Sequence, residues 1–134
     1  MGVIEEAVER LKQCPHVCWR VEGDSVAVDP ESATGFSISL IVRPSEFVVC
    51  FDGWHEHFTS QSDALNCFTF GMSDQCRLKV YRRWGVEYCW IVEFREAGTW
   101  KEDSRTGLLL FPFWAPREIV YRQNVFISGP PNIE

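Results

Sequence analysis

Hydrophobic residues near the start of the chain recur at helical spacing. Val3, Ala7 and Leu11 fall on one side of a helical projection, and charged residues fill the other side. This spacing predicts an amphipathic helix over residues 2–13. Pro15 follows and disfavours helical backbone in the residue before it, so the helix is expected to end there.

Beyond this helix the pattern changes to an alternation of apolar and polar residues, which is typical of β-strands. Four strands are expected before residue 52: two form a hairpin around Gly23, and two are joined by a turn at Pro44. Residues 47–51 contain no polar side chain at alternate positions. This run favours a central strand that is covered on both faces.

Capping residues followed by an apolar stripe predict a second helix that ends near Phe70. Ser60 and Asp63 are typical of a helix start, and Gly71 is typical of a residue that stops a helix. Three to five further strands are expected after it, beginning at residues 77–83.

The order of these elements predicts an α+β fold in a single domain over residues 1–134. We expect a mainly antiparallel sheet of six to eight strands, with the N-terminal helix and the central helix packed on one side. Residues 1–123 would form the globular core and residues 124–134 a C-terminal tail.

Composition and charge narrow the range of partners. The chain has 134 residues, of which 46% are hydrophobic and 14% aromatic, enough for one substantial core. The formal net charge of −6 argues against binding nucleic acid or anionic lipid through bulk charge. The first residues lack the pattern of an export signal, and no apolar segment approaches the length of a membrane span. We therefore expect an acidic cytoplasmic protein with no nucleic-acid and no membrane partner.

The six cysteines do not predict disulfides. Most of them lie in apolar runs, and thiols stay reduced in the compartment we expect, so they are interpreted as core residues. Cys14, His16 and Cys18 have the spacing of metal ligands but no second cysteine pair nearby.

Residues 52–57 carry the densest set of reactive side chains. If they are extended, His55 and His57 point to one side and Glu56 to the other. Two histidines with a carboxylate from Asp52 or Glu56 would suit a metal ion, but Glu56 faces the wrong way for this. We therefore interpret the stretch as a strand-to-helix junction and expect no resident cofactor or metal. No catalytic residue is assigned.

A second cluster mixes basic and aromatic side chains, as in proteins that bind single-stranded nucleic acid. Its members are Arg77, Lys79, Tyr81, Arg82, Arg83 and Trp84. Glu87, Glu93 and Glu96 follow on the next strand and its turn, where cross-strand ion pairs would neutralise the basic row. A solvated sheet face is the favoured interpretation.

The leading functional hypothesis is a non-enzymatic binding or protein-interaction domain whose partner is another protein or a second copy of itself. Its candidate binding residues are Trp54, His55, His57, Phe113 and Trp114. The last two lie in residues 108–114, the most apolar segment, which is either core or an interface.

The alternative is a small metal-dependent enzyme or metal binder that uses Asp52, His55, Glu56 and His57. The acidic balance and the helix-and-sheet plan resemble, in plan only, those of bacterial secretion chaperones and of immunity proteins that neutralise toxins. That resemblance carries no site residues.

Overall fold

The structure is a computed structural model that describes residues 2–107 and 116–128. The described residues contain two helices and nine strands. In chain order they are α1 (Val3–Leu11), β1 (Trp19–Glu22), β2 (Ser25–Val28), β3 (Ile38–Val42), β4 (Phe47–Phe51), β5 (Trp54–Phe58), α2 (Gln61–Gly71), β6 (Cys76–Arg83), β7 (Val86–Glu96), β8 (Thr99–Gly107) and β9 (Arg117–Arg122).

The strands form two antiparallel sheets. The first has the order β1-β2-β3-β4-β5, and the second has the order β8-β7-β6-β9. The predicted α+β single domain with antiparallel pairing is confirmed. The predicted count of six to eight strands is too low, since the described residues contain nine, and they divide into two sheets where one was expected.

The strand missing from the prediction is β5, which forms a hairpin with β4. Phe51 pairs with Trp54, so Asp52 and Gly53 alone make the turn. Asp52 has a φ of 51°, and a Cβ at Gly53 would come within 2.3 Å of the Trp90 ring, which leaves room only for glycine. What we interpreted as a strand-to-helix junction is therefore a tight turn followed by a full strand.

Both helices cover the same face of the five-stranded sheet. The predicted stripe of α1 is buried, with Ala7 and Leu11 fully inaccessible to solvent. Helix α2 begins where the sequence indicates, because the Ser60 side chain accepts a hydrogen bond from the Asp63 amide. Arg10 of α1 donates to the Thr69 hydroxyl of α2 at 2.7 Å and so joins the two helices.

The two sheets meet where β5 lies beside β8. The Trp54 indole N–H donates to the Ser104 hydroxyl at 3.0 Å, and the Thr106 hydroxyl bonds to both the amide and the carbonyl of His55 at 3.3 Å. Strand β8 is mostly polar, and the side chains of Ser104 and Thr106 make these contacts between the sheets.

The segment after β9 returns to the core. Asn124 is 3% exposed, and its side chain bonds to the amide and carbonyl of Phe36 and to the carbonyl of Gly71. Ser73 and Ile127 form a parallel bridge. Residues 124–128, which the sequence assigns to the tail, are thus fixed to the core. Within the described residues, no helix is long and apolar enough to cross a membrane.

Candidate functional site

Strand β5 distributes the predicted site residues over both faces of its sheet. Trp54 is 1% exposed and belongs to the core, whereas His55 and His57 are exposed on the opposite face. Alternation along the strand therefore places Trp54 and the two histidines on opposite faces of the sheet. The other two candidates, Phe113 and Trp114, lie outside the described residues, as does the whole of residues 108–114.

The candidate metal ligands do not share a centre. His55 and His57 have ring centroids 5.6 Å apart, but Glu56 points to the other face. His57 Nδ1 hydrogen-bonds to Glu46, and Asp52 is held elsewhere by ion pairing. Across residues 2–107 and 116–128, no three side chains of His, Cys, Asp or Glu lie close enough to hold a metal ion.

Asp52 belongs instead to an ion-pair cluster that we call the Arg122 clasp, formed by Asp52, Glu87 and Arg122. Arg122 Nη1 lies 2.8 Å from Asp52 Oδ2, and Arg122 Nη2 lies 2.5 Å from Glu87 Oε2. Hydrogen bonds from Arg122 and from the Trp90 indole lower the pKa of Glu87. The clasp fastens the β4–β5 turn of one sheet to strands β7 and β9 of the other.

A groove of about 280 Å³ opens on the helix side of β5, between α2 and the four-stranded sheet. We call it the acidic groove and define it by Glu56 and Asp103. Its apolar walls include Phe58 of β5, Phe70 of α2 and Phe94 of β7. Trp54 also lines the groove. Trp54 and Glu56 of the 52–57 segment therefore lie at this groove, on the opposite face from the two histidines.

A bulge in β8 brings Asp103 to the groove. Val92 pairs with Ser104 and Glu93 pairs with Glu102, which leaves Asp103 as the extra, unpaired residue. A bulge of this kind redirects a side chain relative to the regular alternation of its strand. Asp103 thereby lines the same groove as Glu56, which comes from the other sheet.

The groove is electrostatically negative. Burial raises the pKa of Glu56, the charge of Asp103 raises it further, and a hydrogen bond with Ser104 opposes both effects. The Cys67 thiol at the groove has a strongly raised pKa, first from burial and then from the charges of Glu56 and Asp103. Among the described residues, no lysine or arginine lines this groove.

The remaining polar group of the groove is also an acceptor. Asn66 Oδ1 is buried and has no hydrogen-bond partner among the described residues. A buried amide oxygen without a donor costs about 1–3 kcal/mol, so native structures rarely keep one without a partner. The two carboxylates give the groove acceptors that a donor-bearing ligand would satisfy.

The cysteines contribute no nucleophile to this site. All six are free; Cys76 and Cys89 are buried, three are half-buried, and Cys18 is exposed, contrary to its expected place in the core. Burial raises the pKa of Cys50, which lies opposite His55 in the β4–β5 register. A buried thiol with a raised pKa forms little thiolate and is a poor nucleophile.

Comparisons with protein-family models, with curated proteins and with solved structures find no match. The function is therefore argued from the geometry and charge of the acidic groove.

Proposed function

We propose that the protein is a non-enzymatic binding domain whose acidic groove takes a lysine or arginine side chain of a partner protein. The observation that carries this proposal is the meeting of Glu56 and Asp103 in a groove lined by no cation among the described residues. Glu56 is partly desolvated and lies beside the charge of Asp103, and a bound cation relieves both costs.

The size and walls of the groove favour a single side chain. Its volume of about 280 Å³ lies just below the range of roughly 300–1,000 Å³ typical of small-molecule sites. Lysine and arginine present an apolar stem and a charged head, which suits apolar walls with acceptors between them. Phe58, Phe70 and Phe94 offer ring surfaces for the stem and for cation–π contact.

The charge of the whole chain supports the same partner. A net charge of −6 attracts a basic surface over distances longer than any contact in the groove. Complementary charge raises the association rate and excludes acidic competitors. The groove would then supply the specific contacts after the encounter.

Calorimetric titration with two peptides tests the proposal. The probes are acetyl-Phe-Lys-Phe-amide and the same peptide with norleucine in place of lysine, which keeps the apolar stem but removes the charge. We expect the lysine peptide to bind at least about tenfold more tightly, a difference of about 1.4 kcal/mol. The double variant Glu56→Gln/Asp103→Asn should lose this discrimination.

The matched control is Glu46→Gln, which removes a carboxylate that bonds to His57 on the opposite face of the sheet. This variant should bind both peptides as the wild type does. Equal affinity for the lysine and norleucine peptides, or loss of discrimination in Glu46→Gln as well, would contradict the proposal.

A small hydrolytic enzyme is the second candidate, and the raised pKa of Glu56 beside Asp103 favours it. A carboxyl group with a raised pKa can act as the general acid of a hydrolysis reaction. Hydrolysis of nitrophenyl glycosides that disappears in both Glu56→Gln and Asp103→Asn would support this role; turnover that persists in either variant would exclude it.

A further inference from the structure

A second concave site lies on the outer face of the four-stranded sheet. It has a volume of about 360 Å³, and we call it the arginine notch, defined by Arg77, Arg95, Trp100 and Tyr121. Arg77 faces outward because it alternates with the buried Cys76 and Leu78 along β6. The notch therefore lies on the opposite side of this sheet from the core.

Aromatic rings hold both guanidinium groups in place. The Arg77 Cζ lies 4.5 Å from the ring centroid of Trp100 and 4.2 Å from that of Tyr121, and the Arg95 Cζ lies 4.8 Å from the Trp100 centroid. Stacking engages the face of a guanidinium and leaves the N–H groups in its plane available. The rings thus fix the direction of these donors without using them.

Most of these donors have no acceptor among the described residues. Arg77 Nε donates to Glu93 at 2.6 Å, which neutralises a carboxylate that is 8% exposed. The Arg95 side chain makes no ion pair and no hydrogen bond within residues 2–107 and 116–128. One glutamate against two arginines leaves the notch positive, although the protein as a whole is acidic.

We propose that the arginine notch binds a small ligand bearing an oxyanion, either a carboxylate or a phosphate. The guanidinium fork matches the paired oxygens of both groups, and stacking on the rings removes much of the entropy cost of ordering it. The volume falls within the range of roughly 300–1,000 Å³ typical of sites for small molecules.

The notch differs from a nucleic-acid surface. Within the basic row, Arg77 pairs with Glu93 and Arg82 with Glu118, and on the neighbouring strand β8 Lys101 pairs with Glu96 and Arg105 with Glu102. A strand of nucleic acid needs a continuous positive track with exposed stacking rings. Lys79 and Arg117 lie on the Tyr81 ring further along this face, whereas Arg77 and Arg95 line one concave site, which suits one anionic group.

Nuclear magnetic resonance titration with inorganic phosphate and, separately, with succinate tests this inference. Ionic strength is held constant with sodium chloride, and the reporters are the Arg77 and Arg95 Nε–H groups and the Trp100 indole N–H. We expect saturable shifts of these signals with at least one probe, with a dissociation constant of about 1 mM or tighter. Saturation by phosphate alone assigns a phosphate ligand, and saturation by succinate alone assigns a carboxylate.

The variant Arg95→Gln should abolish saturation and retain the fold, because the side chain is exposed and unpaired within the described part of the chain. Its overall spectrum checks the fold directly. The matched control is Arg20→Gln on β1 of the other sheet, which should leave both titrations unchanged. The inference is overturned if both probes give only linear shifts, or if Arg95→Gln saturates like the wild type.

Discussion

Two carboxylate pairs on and around the β4–β5 hairpin have opposite environments. In the Arg122 clasp, Asp52 and Glu87 share one guanidinium, and hydrogen bonding lowers the pKa of Glu87. In the acidic groove, Glu56 and Asp103 share no cation among the described residues, and burial raises the pKa of Glu56. The difference separates a carboxylate pair that is neutralised within the fold from a pair that, in our proposal, a cationic partner neutralises.

The largest expected effect comes from removing the shared cation of the clasp. Arg122→Gln leaves Asp52 and Glu87 close together, partly buried and unpaired, which should lower the free energy of unfolding by about 3 kcal/mol. Urea unfolding measures the loss. Arg20→Gln breaks ion pairs whose side chains are about half exposed and should leave the midpoint almost unchanged. Equal midpoints for the two variants would contradict the structural role of the clasp.

A substitution at Gly53 tests whether the Arg122 clasp depends on the tight β4–β5 turn. Gly53→Ala places a methyl group against Trp90, whose indole donates to Glu87, and should cost about 2 kcal/mol. Gly98→Ala is the control, since its φ of 80° imposes strain but no atom lies within 4 Å, so its cost should be about 1 kcal/mol. Thermal unfolding compares the two. A smaller loss at Gly53 than at Gly98 would show that the turn tolerates a side chain.

Glu87 should stabilise the protein at neutral pH and lose that effect in acid. Its folded pKa is lowered, so its contribution is present above the unfolded pKa of about 4.3 and disappears as the pH falls through the folded value. Glu87→Gln should therefore be less stable than the wild type by about 1 kcal/mol at pH 7, with the difference vanishing in acid. Unfolding measured between pH 2 and 7, a window given roughly by these pKa values, tests this. A constant difference would exclude ion pairing as the cause.

The contribution of Glu56 to stability should change with pH in the opposite direction to that of Glu87, and its effect should be the smallest of the four. Its folded pKa is raised, so its contribution is most favourable below the unfolded pKa and is lost as the pH rises through the folded value. Glu56→Gln should be more stable than the wild type at pH 7 by about 0.5 kcal/mol after allowance for solvent screening, and equal to it in acid. The same unfolding series measures it. Destabilisation at pH 7 would mean that Glu56 is paired within the fold and is not available to a cationic partner.

Local patterns predicted the elements that depend on local chemistry. The spacing of Val3, Ala7 and Leu11 located α1, and the Ser60 cap located the start of α2. Strand β5 carried a usable signal that was missed, because an Asp-Gly pair between two extended runs is a strong indication of a hairpin. We interpreted residues 52–57 from their reactive side chains, and β5 was therefore not predicted.

The groove could not be predicted in the same way. Asp103 reaches it through a bulge in a polar strand, and Asn66 contributes from a helix in another part of the chain. The partner of Asp52 is Arg122, which is 70 residues away in the sequence. Such contacts depend on how the two sheets meet, and no local period encodes that arrangement.

The most direct test of the cation-binding groove is the pKa of Glu56, measured from its side-chain carboxyl carbon by nuclear magnetic resonance. It should be measured in the free protein and at saturation with acetyl-Phe-Lys-Phe-amide. We predict a pKa above the ordinary value of about 4.3 in the free protein and a clear decrease when the lysine ammonium binds. An ordinary pKa in the free protein, or a raised pKa that saturation with the peptide leaves unchanged, would contradict the account.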